Sequence, residues 1–283
     1  MSNERVKGAL ALITTSILWG SSFPAIKIIV SSISSYAYTW IRSIVALAGL
    51  APYMVYAYRR GKIDKLAIKG GLLAGITYAL GLWLQGLGTR YTTASNSAFI
   101  TGLNTVFVHV YEGLILRRYG LSLALSLTLS LMGLYFLTTP TGGLNIGDIL
   151  VLFGSFMWAA QVIIVGKYSS SDPLVFTFFE MMPAVAFIIP DAIDGLDTVS
   201  ASTMLLIVYL GLVCSNAAFA LQVYGQRYII PSVAAITYLL EPVAAAVFAY
   251  IILNELFTPV QMIGATLILA SIVTALSFKQ KTS

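Results

Sequence analysis

Residues Tyr238–Gly264 read YLLEPVAAAVFAYIILNELFTPVQMIG. The run is apolar over more than the length of a membrane-spanning helix, yet it carries Glu241 directly before Pro242. A second acid, Glu255, stands near its far end, ahead of the breaker Pro259. An acid beside a proline is expensive inside a bilayer, so it marks a functional candidate by default. The rest of the chain has the same character. Of its 283 residues, 58% are hydrophobic and 10% charged, and the mean hydropathy is +0.89. An ordinary soluble domain carries about 25% charged residues. Such a chain cannot cover itself in water, and it reads as an all-α integral membrane protein with the lipid bilayer as its solvent.

Ten segments reach spanning length: 8–29, 35–58, 67–88, 93–116, 121–139, 147–167, 172–190, 201–222, 231–253 and 259–278. The first continues past Trp19 with no small-residue cleavage site, so it reads as a retained span. Ser122–Leu131 (SLALSLTLSL) alternates like a strand, but its neighbours are continuously apolar over helical lengths. Ser122, Ser126 and Ser130 then form a small-residue stripe where another helix can approach, as do Gly71 and Gly75. The net charge of +5 resides in short loops, which argues against nucleic acid as a partner. With the N-terminus inside, thirteen Lys and Arg fall on the inner side and two, Lys27 and Arg90, on the outer side. The expectation is a multi-pass protein of the cell membrane with both termini cytoplasmic. The single cysteine, Cys214, excludes an intramolecular disulfide and reads as a small buried residue.

The two halves repeat. TWIRSIVALAGLAP (Thr39–Pro52) aligns with TFFEMMPAVAFIIP (Thr177–Pro190), setting Arg42 opposite Glu180. QGLGTRYTTAS (Gln85–Ser95) aligns with QVYGQRYIIPS (Gln222–Ser232), and Trp19 with Trp158. The same register sets Asn104-Thr105 opposite Glu241-Pro242. Five helices per half is an odd number, so the second half enters the membrane from the opposite side. The expected fold is therefore ten transmembrane helices as two inverted five-helix repeats, residues 1–141 and 142–283, around a central cavity. That architecture points to secondary transport, with the substrate near midplane between the repeats.

The acid-proline helix, the Asn-Glu-Leu-Phe-Thr-Pro ending at 254–259 and Gly264 resemble the second EamA repeat of the drug/metabolite transporter superfamily. WGSSFPAIK at 19–27 is similar to the opening of the first. The resemblance spans nearly the whole chain. It implies a cavity lined mainly by helices 1, 3, 4, 6, 8 and 9, and export of amino acids or other metabolites. The first repeat departs from that pattern: it has Thr105 where a proline is expected and Arg118 in place of the closing acid.

Among ionisable groups within spans, Glu241 reads as a substrate-binding or proton-coupling group, or as a polar contact that fixes the kink at Pro242. His109 and Glu112, three apart on one helix face, read as a proton-passing pair or as two side chains that satisfy one another or reach toward Arg117. Arg42 and Glu180 read as structural charges, paired across the pseudo-axis or satisfied locally. Glu255 reads as a helix-end cap. The expected cavity wall is Trp19, Tyr78, Trp83, Gln85, Asn96, Asn104, Trp158, Gln161, Asn216, Gln222 and Tyr238, whose amides can bond a polar substrate and whose rings can stack on it. With Arg42 as the one cation clearly at depth, phosphorylated substrates fit poorly. Amino acids, neutral metabolites and organic cations fit better.

The function expected is efflux of such a small molecule by alternating access, with proton coupling, Pro24, Pro231 and Pro242 as flex points, no cofactor, and a monomer or weak homodimer. A membrane enzyme using Glu112, His109 and Glu241, or a passive pore or lipid-handling protein, are the rivals. There is no HExxH, and no Walker motif to use ATP.

Overall fold

A computed structural model describes residues 3–115, 117, 120–140, 144–253 and 258–277. Glu255, Arg118, the 254–257 motif and the division at 141–142 lie outside the described residues. The described chain contains ten helices long and apolar enough to cross a membrane. They are α1 (Asn3–Ser32), α2 (Ser35–Arg59), α3 (Lys65–Tyr91), α4 (Asn96–Ile115), α5 (Leu121–Thr138), α6 (Ile146–Tyr168), α7 (Pro173–Asp194), α8 (Ala201–Gln226), α9 (Pro231–Phe248) and α10 (Pro259–Ser277). Short polar residues start them. Ser34, Asp64, Asp172 and Ser200 each accept a hydrogen bond from a first-turn amide. Asn145 and Asp148 form a capping box at α6.

The helices pack as a two-fold predicts. α3 lies along α6, and α1 lies along α8, which is the same contact with the halves exchanged. α2 packs on α7, α4 on α9 and α5 on α10, each helix on its own counterpart. Glycines make these crossings close. A Cβ on Gly88 would stand 2.6 Å from the Gly147 carbonyl oxygen, where α3 meets α6. The register-equivalent pair, Gly225 and Gly8, joins α8 to α1, with 2.9 Å from a Gly225 Cβ to the Gly8 carbonyl. Where α5 meets α10, Gly133 faces Gly264. Ser126 and Ser130, buried on the same face of α5, belong to that contact, and the strand-like alternation of Ser122–Leu131 is helical. Gly71 and Gly75 of α3 receive the backbone of α7 at Phe176 and Glu180.

Regularity is unevenly shared. α3 and α6 are continuous. α1 breaks at Ser21, three residues before Pro24, whose ring nitrogen cannot bond the Gly20 carbonyl. α9 breaks at Leu239 in the same relation to Pro242. α4 breaks at Leu103 without a proline and ends in a π-helical turn, Tyr111–Ile115. α7 tightens to a 3₁₀ turn over Met182–Phe187 at Pro183, and α8 carries a π-helical stretch, Leu210–Ala217. The breaks of α1 and α9 meet: a Cβ on Gly20 would lie 2.6 Å from the Glu241 carbonyl. Both face the centre of the bundle.

Candidate functional site: a central cavity between the halves

A cavity of about 60 Å³ lies among these interrupted helices. The first half lines it with Trp19, Ser22, Ile26, Arg42, Leu82, Gln85, Thr101 and Asn104, and the second with Trp158, Gln161, Val162, Phe219, Tyr238 and Glu241. These residues come from the middle of their helices and from the parts remote from the basic loops after α2, α6 and α8. The helices are the expected six, together with α2 through Arg42.

Arg42 was expected as a structural charge at the flank, and it instead reaches the cavity wall. Its Nη1 donates to the Tyr38 hydroxyl at 2.6 Å and its Nε to Ser215 Oγ at 2.9 Å, within the π-helical stretch of α8. Nη2 has no protein partner among the described residues. Glu241 lines the same cavity, and its carboxylate accepts no hydrogen bond from a described residue. Of the two readings of Arg42 and Glu180, a pair across the pseudo-axis or a local partner for each, the structure shows the second. Glu180 accepts from Gln161 Nε2 at 2.6 Å.

The remaining wall is aromatic. Trp19 packs on Phe219 with ring centroids 5.0 Å apart and on Tyr238 at 5.2 Å. The repeat-equivalent tryptophans differ in one respect. The Trp19 indole N–H donates to the Cys214 carbonyl at 3.0 Å, an acceptor released by the π-helical stretch, whereas the Trp158 N–H has no partner among the described residues. Gln85 Nε2 is held on Thr101 Oγ1 at 3.1 Å.

Toward the basic loops the cavity ends on a polar floor. Gln161 and Gln222 exchange two amide hydrogen bonds of 3.0 Å. Gln226 Nε2 donates to the Val162 carbonyl at 2.8 Å and accepts from the Tyr238 hydroxyl at 3.3 Å. Beside this floor, Thr105 Oγ1 of α4 donates to the Ala235 carbonyl of α9 at 3.1 Å. The repeat register puts Pro242 in the place of Thr105 and Ala98 in the place of Ala235. Proline has no hydroxyl to give, and there the helices flank a smaller cavity that Ala98 and Pro242 both line. It shares Thr101, Asn104, Tyr238 and Glu241 with the main one.

Several expected wall residues stand back from it. Tyr78 is fully buried behind Trp158 and Phe219, its hydroxyl 3.3 Å from Ser215 Oγ. Trp83 stacks on Tyr36 and packs on Phe187, away from the cavity. Asn96 is buried in the first turn of α4. Asn216 donates to the Ala46 carbonyl at 2.9 Å, tying α8 to α2, and Gln222 lies in the floor behind Gln161. His109 and Glu112 are buried beyond the floor, with His109 Nδ1 2.7 Å from the Thr105 carbonyl and Glu112 accepting from Ser232 of α9. Ser22, Thr101 and Phe219 join the wall without having been singled out from sequence. The break beside Pro24 was the signal available for Ser22. Among the described residues no group of three or more His, Cys, Asp or Glu is placed to hold a metal ion.

Known proteins share the sequence and the fold. A transporter of Archaeoglobus fulgidus, described as uncharacterized, is 31% identical over 274 residues, covering 95% of this chain and 86% of its own. A chloroplastic WAT1-related protein of Arabidopsis thaliana is 26% identical over 92% of this chain and 67% of its own. A solved crystal structure superposes with a TM-score of 0.76 over 95% of this chain and 96% of its own at 13% identity, a likeness of fold. The EamA-like transporter family model matches twice, at residues 6–139 and 145–277. Ten spans, a duplicated five-helix half and a cavity between the copies are therefore those of a multi-pass membrane transporter, and the chain belongs to the EamA-like transporter family.

Proposed function

We propose that the protein exports a small zwitterion, an amino acid, across the cell membrane by alternating access. The observation that carries this reading is the pair of groups on one cavity wall, the free Nη2 of Arg42 and the unpartnered carboxylate of Glu241. Charges at this depth are costly without partners, and a substrate carrying one charge of each sign supplies both. Its carboxylate meets Arg42 and its ammonium meets Glu241. Its side chain lies on Trp19, Trp158 and Phe219. A neutral metabolite leaves both charges unanswered, and an organic cation uses Glu241 alone.

With the basic loops in the cytoplasm, the termini are cytoplasmic, the floor seals the inner side, and this conformation faces outward. Glu112 and His109 then belong to the inner seal, and the breaks at Pro24 and Pro242 are the flex points. Each chain holds a whole cavity, so a monomer or weak homodimer suffices.

Counterflow of labelled amino acids in proteoliposomes tests the proposal. Arg42→Gln should lower apparent affinity about 10- to 100-fold, as expected for loss of a charge-assisted hydrogen bond of about 1.5–3 kcal/mol. Glu241→Gln should do the same for the amino acid, while decarboxylated amines should be poor substrates of the wild type. Equal transport of amines and amino acids would sink the zwitterion reading.

A further inference from the structure

Glu180 lies under the glutamine floor, outside the cavity. It is 0% exposed. Oε1 accepts one hydrogen bond, from Gln161 Nε2 at 2.6 Å, and Oε2 has no partner. α3 passes so close at Gly75 that a Cβ there would stand 2.5 Å from the Glu180 carbonyl. From α6 comes Gln161, and from α8 Gln222, already bonded to each other. From α9 comes the Tyr238 phenol, bonded to Gln226. The titratable group of α2 on this side is Tyr53, bonded to Asp172 at the start of α7. Among the described residues no lysine, arginine or histidine pairs with Glu180.

An ionised carboxylate enclosed with one hydrogen bond and no countercharge is far costlier than a neutral acid in the same place. Glu241 borders the cavity, whereas Glu180 is enclosed behind the glutamine floor. We propose that Glu180 is the proton site of the transport cycle, holding a proton while the glutamine floor is closed and giving it to cytoplasmic water when the floor parts. The proposal rests on the alternating-access reading.

Its balance is simple. Outward-facing, with Gln161 turned aside, the carboxylate takes a proton from a hydronium ion in cavity water, leaving water. Inward-facing, the acid returns that proton to a cytoplasmic water as hydronium. One proton enters for each substrate that leaves. Gln161 links the two events because it both walls the cavity and covers the acid.

Two measurements test this. In infrared difference spectra of the purified protein, a neutral-carboxyl C=O band should be present in the wild type. It should be lost in Glu180→Gln, shifted in Glu180→Asp and retained in Glu241→Gln. The amide of Glu180→Gln keeps an acceptor for Gln161, and Glu180→Asp controls for folding. In proteoliposomes, Glu180→Gln should keep substrate counterflow but lose accumulation driven by an imposed pH gradient. A band that survives Glu180→Gln, or wild-type transport indifferent to the gradient, overturns the proposal. Absence of counterflow in the wild type with the band lost in Glu180→Gln would instead overturn the transport reading and leave the proton site standing.

Discussion

The α3–α6 pair and the α1–α8 pair are one construction made twice, and they have been treated differently. Each crosses on facing glycines, Gly88 with Gly147 and Gly225 with Gly8. Yet α3 and α6 run unbroken, while α1 is cut at Ser21 and α8 is underwound into a π-helical stretch between Leu210 and Ala217. Backbone carbonyls freed in the irregular pair are taken up by side chains: Trp19 bonds the Cys214 carbonyl and the Cys214 thiol bonds the Leu18 carbonyl. Arg42, Tyr78 and Asn216 converge on the same stretch. The difference teaches that the duplicated packing supplies a rigid pair and a deformable pair. Rearrangement is expected to begin at α1 and α8, where backbone hydrogen bonding has already been exchanged for side-chain bonding.

The largest test is at the glycines. Gly88→Ala brings a Cβ to 2.6 Å from a backbone carbonyl in the regular pair. Overpacking of that kind costs about 1–3 kcal/mol, here at the upper end because backbone cannot step aside. Gly8→Ala places its Cβ at 3.0 Å from the Tyr228 side chain and 3.1 Å from the Gly225 carbonyl, a tightness that small shifts relieve. Thermal melts in detergent should therefore show a clear fall for Gly88→Ala and a change about a third as large for Gly8→Ala. Equal losses would mean that the two pairs are equally rigid.

Much of this arrangement was legible in the residues. Ten apolar runs, loop charges and the aligned Thr39–Pro52 and Thr177–Pro190 segments lead to inverted five-helix halves, because helix count and parity admit little else. Pro24 and Pro242 announce two of the breaks by chemistry alone. The break at Leu103 and the underwinding of α8 have no proline to announce them; at α8, side chains from α1, α2 and α3 bond the π-helical stretch.

Two misplacements have a geometric reason. In an inverted repeat, equivalent residues lie at mirrored depths, so Arg42 and Glu180 sit on opposite sides of midplane and do not meet. A helix at the flank can still line a cavity when it carries an arginine, because the side chain spans the distance its backbone does not. Tyr78 and Gln222 were expected on the wall and lie one layer behind it, since helix number alone does not say which face of α3 or α8 looks inward.

The tryptophans give a middle-sized test. Trp19→Phe strands the Cys214 carbonyl, and leaving a buried acceptor unmet costs about 1–3 kcal/mol. Trp158→Phe removes an N–H that has no partner, so stability should hold or rise slightly while substrate affinity falls. Paired melts and binding titrations followed by intrinsic fluorescence separate the two effects. A stability loss in Trp158→Phe as large as in Trp19→Phe would erase the distinction between the regular and irregular pairs.

The smallest effect concerns the crossing of α4 with α9, where the halves differ by one hydroxyl. Thr105→Val deletes the bond to the Ala235 carbonyl that holds the basic-loop side shut. Hydrogen bonds between membrane helices average about 0.6 kcal/mol and reach about 1.7 kcal/mol, so the open-to-closed ratio on that side should rise about 3-fold and at most roughly 20-fold. Pro242→Thr should act with the opposite sign, because it offers the mirrored hydroxyl to the Ala98 region and draws the smaller cavity closed. Labelling of Ala235→Cys by a membrane-impermeant thiol reagent, against the buried Cys214 as background, reads the first change. Labelling of Ala98→Cys reads the second. If both substitutions shift accessibility in the same direction, Thr105 and Pro242 are not mirrored gate residues, and the asymmetry at this crossing is one of packing alone.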